Sequence, residues 1–303
     1  MSRERLRRRV VLAGGGLAMV LGGLTLFRDG PRSDPNLVRR RAEDVARRHG
    51  VRIVLHGLQE DGTSGRVARL PEIPDGLVTA VDPAVLPWAL DGIERALSAY
   101  PEGFYGRHCA TIFVCGSLTF EGRPAGGAYV PGQDWIVLAA PAERGQATIE
   151  LTSELGIHHE FSSIVWDRAL TLPGRWATLL PSGQAFAEST GRALDVADAP
   201  PPSPETGFLS AYSATSAEND FNTYAETVFT QPARVLELAN QHRTVAAKLA
   251  LVLDSYVDFE PRMEAVFRRL GFGALIGASR QLVPGGVGAS PLKIPAGQMV
   301  EQE

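Results

Sequence analysis

The chain has 303 residues, of which 44% are hydrophobic and 21% charged, an ordinary composition for a globular protein with one large core or two modest ones. Its formal net charge is −4, but residues 1–28 carry six arginines and one glutamate, so the remainder has a net charge of −9. An acidic body has little electrostatic reason to bind nucleic acid, and we exclude that class of partner.

The amino terminus has the pattern of an export signal. A cluster of arginines ends at Arg9, and the next 18 residues, Val10 to Phe27, are uncharged. At about 1.5 Å per residue this run is just long enough to cross a membrane core, and basic residues before it predict that the following chain is exported. No small-residue cleavage site follows it. We therefore interpret residues 1–28 as a signal anchor crossing the membrane at residues 10–27. The alternative is a removed signal peptide, which would leave a periplasmic or secreted protein.

Residues 29–50 are predicted to be a linker followed by an amphipathic helix. The rest of the first half predicts a strand, a loop, a capped helix, a buried strand, a glycine-rich turn, an edge-like stretch and another strand. In chain order these elements cover residues 51–55, 57–79, 82–99, 109–118, 122–127, 128–130 and 135–140.

The next helix, Thr148 to Val165, is unusual because it combines an apolar stripe with two histidines and a glutamate. His159 followed by Glu160 is the first half of the motif H-E-x-x-H, in which two histidines four residues apart hold a metal ion. Ser163 stands where the second histidine would be. The sequence therefore contains half of a metal-binding signature on a core-facing helix.

The second half predicts an irregular segment over residues 170–207, four helices and a tail at 280–303. The helices are placed at 216–229, 232–240, 243–257 and 260–270. We predict one α+β domain over residues 51–279, in which a small mixed sheet packs on the central helix and a helical half follows.

The two cysteines, Cys109 and Cys115, stand at either end of a predicted strand. Six steps along a strand separate their Cα atoms by about 20 Å. A disulfide requires less than about 7 Å, so no internal disulfide is expected unless the strand ends early.

The segment from Ser210 to Glu226 begins a helix with a tyrosine before it and reads S-A-Y-S-A-T-S-A-E-N-D-F-N-T-Y-A-E. Together with the helix that ends in Tyr100-Pro101 and the later helix around Lys248, this layout resembles the zinc-binding metallopeptidases among the lethal-factor-like gluzincins of the zincin superfamily. The resemblance covers about residues 85–270. It implies a zincin-like fold, a zinc cofactor and peptide hydrolysis.

Residue by residue, the resemblance implies that His159 is the first zinc ligand, Glu160 the general base and Tyr212 the group that stabilises the oxyanion. Two positions depart from the pattern: Ser163 replaces the second histidine, and Asn219 replaces the glutamate ligand. Neutral oxygens are poor zinc ligands, so a conventional site is not expected.

A rearranged metal site is one interpretation of these departures. Glu154 and His158 lie four residues apart on one helix face, and Glu218 or Asp220 could supply a carboxylate in place of Asn219. Each also has a structural interpretation, because Glu218 stands three residues after Thr215, as in a capping box, and Asp220 in a first helical turn favours the helix dipole.

Two hypotheses remain. In the first, the chain is an exported or anchored metallohydrolase that acts on peptide or protein substrates. In the second, it is a catalytically inactive module on the same fold that binds a partner in the cell envelope.

Overall fold

The computed structural model describes residues 34–57, 67–69, 76–120, 122–187 and 203–281. The predicted membrane anchor lies outside these residues, as does most of the predicted tail. Within the described residues, no helix is both long enough and apolar enough to cross a bilayer. The chain forms two compact units, residues 1–164 and 165–303, so the predicted domain over residues 51–279 contributes to both.

The first unit alternates short strands with helices. In chain order its elements are α1 (Pro35–His49), β1 (Arg52–Leu55), β2 (Val67–Arg69), β3 (Leu77–Thr79), α2 (Leu86–Ser98), α3 (Phe104–His108), β4 (Thr111–Cys115), β5 (Leu118–Phe120), β6 (Arg123–Ala125), β7 (Gly127–Val130) and β8 (Trp135–Ala139), followed by α4 (Gln146–Arg168), within which the unit boundary falls.

Local sequence signals account for the ends of α1. The Asp34 carboxylate accepts a hydrogen bond from the Asn36 N–H, Pro35 occupies the first turn, and Gly50 ends the helix at φ 69°. The predicted start of α2 is wrong. Asp82 accepts a hydrogen bond from the Ala84 N–H at 2.8 Å and caps only a turn, and the helix begins at Leu86.

The larger sheet has the strand order β1-β4-β8-β7. The strands β1, β4 and β8 are parallel, whereas β7 at one edge runs antiparallel to β8. Every residue of β4 is buried, because the central strand of a sheet is covered on both faces. This small mixed sheet confirms the predicted α+β class.

A second, antiparallel sheet with the order β2-β3-β5-β6 was not predicted. Two of its strands come from the predicted loop at 57–79 and one from the predicted turn at 122–127, while β5 begins at Leu118, the last residue of the predicted strand at 109–118. Each has only three residues, too few to show a clear period of two. The predicted strand at 109–118 is split at Gly116, where a Cβ atom would lie 2.4 Å from the Ala80 carbonyl oxygen. Residues of both sheets share one apolar cluster that includes Val78, Phe113 and Leu118.

The second unit is helical. After the end of α4 it contains α5 (Leu172–Ala177), a 3₁₀ turn (Tyr212–Ala214), α6 (Ala217–Thr230), α7 (Pro232–Gln241), α8 (Arg243–Phe259), α9 (Met263–Arg269) and a final 3₁₀ turn (Ala278–Gln281). Four predicted helices correspond to α6 through α9. The prediction of an irregular segment over residues 170–207 is wrong at residues 172–177, which form α5. This helix has too few residues to show amphipathic periodicity.

The final 3₁₀ turn is held by one buried carboxylate. Asp254 on α8 is 1% exposed and accepts hydrogen bonds from the N–H groups of Gly277 and Ser279 and from the Ser279 hydroxyl. The Arg175 guanidinium donates to the same Ser279 hydroxyl at 2.9 Å. These contacts satisfy the carboxylate and fix the end of the described chain against α8.

Both cysteines are buried, and their thiols are not joined in a disulfide. The thiol of Cys115 lies in the apolar cluster, and burial raises its pKa to about 12. A thiol with so high a pKa is inert toward disulfide exchange near neutral pH, because the thiolate is the reactive form.

The closest helix contact in the first unit generates a prediction. A Cβ atom at Gly92 on α2 would lie 2.1 Å from the Glu150 carbonyl oxygen of α4, so neither backbone can yield without moving a helix. We expect Gly92→Ala to lower the free energy of unfolding by about 2 kcal/mol or more, measured by urea denaturation. Gly174→Ala is the matched control, because no atom lies within 4 Å of its Cβ position inside α5. If Gly92→Ala and Gly174→Ala are equally stable, α2 and α4 do not approach each other as closely as described.

Candidate functional site

The predicted metal ligand His159 and the predicted general base Glu160 lie on a fully buried stretch of α4. His158, His159 and Glu160 are 1%, 2% and 0% exposed, and Ser162 and Ser163 are both 0% exposed. The helix is buried on all sides here, which places these side chains in an interior of low dielectric. In this conformation the imidazole of His159 and the carboxyl group of Glu160 have almost no contact with solvent.

His158 has a structural role in the first unit. Its Nδ1 lies 3.0 Å from the Tyr100 hydroxyl, and burial lowers its pKa to about 3. The ring is therefore neutral at neutral pH. Glu154, its proposed companion in a rearranged site, lies 2.8 Å from the Arg95 guanidinium. Each member of the alternative pair thus has its own protein partner, which does not favour a metal at this face.

Glu160 lies against the antiparallel edge strand of the larger sheet. A Cβ atom at Gly127 on β7 would be 2.8 Å from Glu160 Oε1 and 2.9 Å from the Val137 carbonyl oxygen. Only glycine leaves room for the carboxyl group beside this strand. Gly127 was predicted to lie in a turn, but it belongs to β7, where a glycine indicates a close approach of another group.

In the second unit, hydrogen bonds fix the segment around Asn219. The helix α6 is capped by Ser216, whose hydroxyl accepts from the Asn219 N–H at 3.0 Å. The Asn219 amide donates to the Thr215 hydroxyl at 2.8 Å, and that hydroxyl donates to the Tyr212 carbonyl at 2.6 Å. The predicted capping box of Thr215 with Glu218 is wrong, because the cap is one residue later and Glu218 is half-buried at the second helical position.

The second unit contains a fully buried ion pair that was not predicted as a site. Lys248 Nζ on α8 lies 2.6 Å from Asp220 Oδ2 on α6, and both side chains are 0% exposed. The Trp176 indole N–H donates to the same carboxylate oxygen at 3.0 Å. The sequence feature that could have revealed this pair is Lys248 itself. A lysine inside an apolar helical run needs a buried partner of opposite charge.

The chain at Gly207 completes the surroundings of Lys248. The Gly207 carbonyl accepts from Lys248 Nζ and from the Tyr224 hydroxyl, both at 3.0 Å. The Lys248 ammonium also lies 4.5 Å from the centre of the Phe208 ring. Gly207 has φ 81°, and a Cβ atom there would come 2.5 Å from Thr244 Cγ2, so glycine is required on two grounds.

Burial and charge act in opposite directions on this pair. Burial raises the pKa of Asp220, to about 6, while the Lys248 charge and hydrogen bonds from Lys248 and Trp176 lower it. Burial lowers the pKa of Lys248, and the Asp220 charge raises it. The direct contact therefore offsets part of the desolvation of both groups, and burial still sets the direction in which each pKa moves.

These side chains do not fit a conventional zinc site. Among the described residues, no group of three or more histidines, cysteines, aspartates and glutamates is arranged to hold a metal ion. At the two departing positions, Ser163 is fully buried and the Asn219 amide is directed at Thr215. Asp220, the carboxylate next to Asn219, is committed to Lys248 and Trp176.

The two halves of the predicted site belong to different units. His159 and Glu160 lie in the first unit, and Tyr212, Glu218 and Asn219 lie in the second. The resemblance implies that the two groups form one site, and this stays a prediction. A scan against protein-family models matches none of them, and comparisons with curated proteins and with solved structures give no match.

The ion pair generates a stability prediction. Lys248→Met leaves the Asp220 carboxylate buried without its cation, and we expect a loss of about 3–5 kcal/mol in the free energy of unfolding. Replacing both residues, as Lys248→Met with Asp220→Leu, should recover most of this loss because no buried charge remains. Urea denaturation of the two variants measures the difference.

The exposed pair Glu264 with Arg268 is the matched control. Arg268→Met should cost less than about 1 kcal/mol, because solvent screens a surface ion pair. A Lys248→Met loss no larger than that of Arg268→Met would show that Lys248 and Asp220 do not meet as described.

His158 generates a prediction about pH. Its pKa is about 3 in the folded protein and about 6.5 in the unfolded chain, so protonation favours unfolding. The contribution is complete above about pH 6.5 and is lost as the pH falls from there toward about 3, by about 1.4 kcal/mol per unit. Unfolding free energies measured at about pH 7 and pH 5 should therefore differ less in His158→Gln than in the unaltered protein. The same difference in both proteins would mean that His158 is not a buried neutral ring.

Proposed function

We propose that this protein is a zincin-like module that has lost zinc-dependent peptide hydrolysis and now binds a protein partner in the cell envelope. The observation that carries the proposal is the state of Asn219. The resemblance requires a carboxylate at this position, but the residue is a 3%-exposed amide whose N–H donates to Thr215. Since zinc prefers imidazole, thiolate or carboxylate ligands, this amide and the buried hydroxyl of Ser163 are poor replacements.

The zincin-like part of the proposal is supported by the first unit. Its larger sheet has three parallel strands and one antiparallel edge strand, and α4 brings a carboxyl group against that edge strand at Gly127. The proposal takes Glu160 as the remnant of a general base. Because Glu160 and all four residues of β7 are buried, an extended substrate has no access to this carboxyl group in the described part of the chain, which supports the proposed loss of hydrolysis.

The envelope location rests on the export signal predicted for residues 1–28. The binding role is proposed in place of catalysis because His159, Glu160, Ser163 and Asn219 are almost fully buried and therefore closed to a substrate.

A peptide hydrolase with a rearranged metal site is the second candidate. One observation favours it, namely that His159 and Glu160 keep the order and helical setting of a first ligand and a general base. In that case Tyr212 would stabilise the oxyanion and Glu218 or His158 would complete the ligand set. The contact of His158 with Tyr100 does not support the latter assignment.

Metal content decides between the two candidates. We expect the purified full-length chain to contain no stoichiometric zinc, to melt at the same temperature with and without a chelator, and to cleave no peptide in a mixed peptide library. Stoichiometric zinc that is lost in His159→Ala, together with peptide cleavage, would establish the hydrolase instead.

A restored variant tests the ancestry itself. Ser163→His with Asn219→Glu returns both departing positions to the pattern that the resemblance implies. We expect this variant to bind zinc when circular dichroism shows that it is folded, with Ser163→His alone as the matched control. A folded double variant that binds no zinc would contradict the zincin-like proposal.

A further inference from the structure

The two edges of the larger sheet differ in exposure. All four residues of β7 are buried, whereas β1 has one exposed residue, Arg52, and three half-buried ones. An open edge strand presents unpaired backbone groups that can pair with another strand. Within the described residues, β1 is therefore the accessible edge of this sheet.

The register shows which backbone groups of β1 are unpaired. His56 donates its N–H to the Val114 carbonyl at 2.8 Å, so alternate residues of β1, Arg52 and Val54, also direct their backbone groups at β4. Ile53 and Leu55 direct theirs away from the sheet. Neither has a backbone partner within the described part of the chain.

A shallow groove runs beside this edge. Its floor is formed by Ala46 of α1 with Val51 and Ile53, and its rim carries Glu43, Arg47 and Arg52. Arg47 is already paired with Asp44 of the same chain, so Glu43 and Arg52 are the opposite charges that the rim offers to a partner. A twofold contact between identical chains requires a surface on which such charges meet their opposites on the second copy.

We infer that a second copy of this chain pairs with the first through β1, antiparallel and about a twofold axis at Ile53. In this register each Ile53 exchanges two hydrogen bonds with Ile53 of the other copy, and the Leu55 N–H of each copy donates to the Val51 carbonyl of the other. The Ile53 side chains meet and extend the apolar floor. The two four-stranded sheets become one continuous eight-stranded sheet.

The hydrogen bonds of the edge supply a selective test. Ile53→Pro removes the outward N–H but no bond to β4, and proline is tolerated where an edge strand faces away from its sheet. We expect the full-length chain to be a dimer by light scattering after gel filtration, and the folded Ile53→Pro variant to be a monomer. Leu77→Lys, at an exposed apolar residue of β3, is the control and should leave the dimer intact.

Cross-linking tests the position of the axis. Across a hydrogen-bonded antiparallel pair the Cα atoms lie about 5.5 Å apart, within the range for a disulfide. Ile53→Cys should therefore form a covalent dimer when oxidised with copper phenanthroline. Leu55→Cys should not, because its two copies lie about 13 Å apart along the strands.

Three results would overturn the inference. They are a full-length chain that stays monomeric at every concentration, a dimer that persists in folded Ile53→Pro, and a dimer in which Leu55→Cys cross-links as readily as Ile53→Cys. The second result would mean that the chain associates through another surface, such as the predicted membrane segment, which the proline does not touch. None of them bears on zinc content, so the two proposals fail separately.

Discussion

The interaction on which the second unit depends is the buried contact between Lys248 and Asp220. A lysine ammonium with no exposed surface is tolerated only where opposite charge and hydrogen-bond acceptors replace its water. Asp220 and the Gly207 carbonyl supply both, and Trp176 donates to the same carboxylate. Since these groups come from α5, α6, α8 and the chain before the 3₁₀ turn, one charge pair determines how four segments of the unit meet.

This contact also explains the state of the neighbouring residue. With Asp220 turned toward Lys248, Asn219 occupies an adjacent face of the first turn of α6, where its amide bonds Thr215. Internal hydrogen bonds therefore hold the backbone of this turn, while Asn219 Oδ1 is buried without a hydrogen-bond partner among the described residues.

Long, strongly patterned elements were predictable from the sequence. The helices α1, α4 and α6 through α9 follow from apolar periodicity, and β4 and β8 follow from short apolar runs. The small antiparallel sheet was not predictable, because its strands have three residues each and Pro124 in β6 indicates a turn. The break at Gly116 depends on Ala80, a residue distant in sequence, and local patterns contain no record of such contacts.

Among the candidate residues, His159 and Glu160 were recognised from a motif, whereas Gly127 and Lys248 required coordinates. A glycine inside a strand indicates that another group comes close, but it does not say which group. Only the three-dimensional structure identifies the neighbour of Gly127 as Glu160. A lysine in an apolar helix likewise indicates a buried anion, but the sequence does not show which acidic residue is its partner. Sequence specifies that a partner is needed, and three-dimensional packing selects it.

The turn held by Asp254 has a consequence for where this protein can be shortened. Its carboxylate is satisfied by the backbone of Gly277 and Ser279, although the neighbouring chain looks like a dispensable tail. Removing residues after Ser279 keeps these hydrogen bonds. Cutting the chain before Gly277 removes them and leaves the buried Asp254 carboxylate of α8 without these donors. The functional carboxyl-terminal limit of the folded body is therefore set by the hydrogen-bonding demand of a residue more than twenty positions upstream.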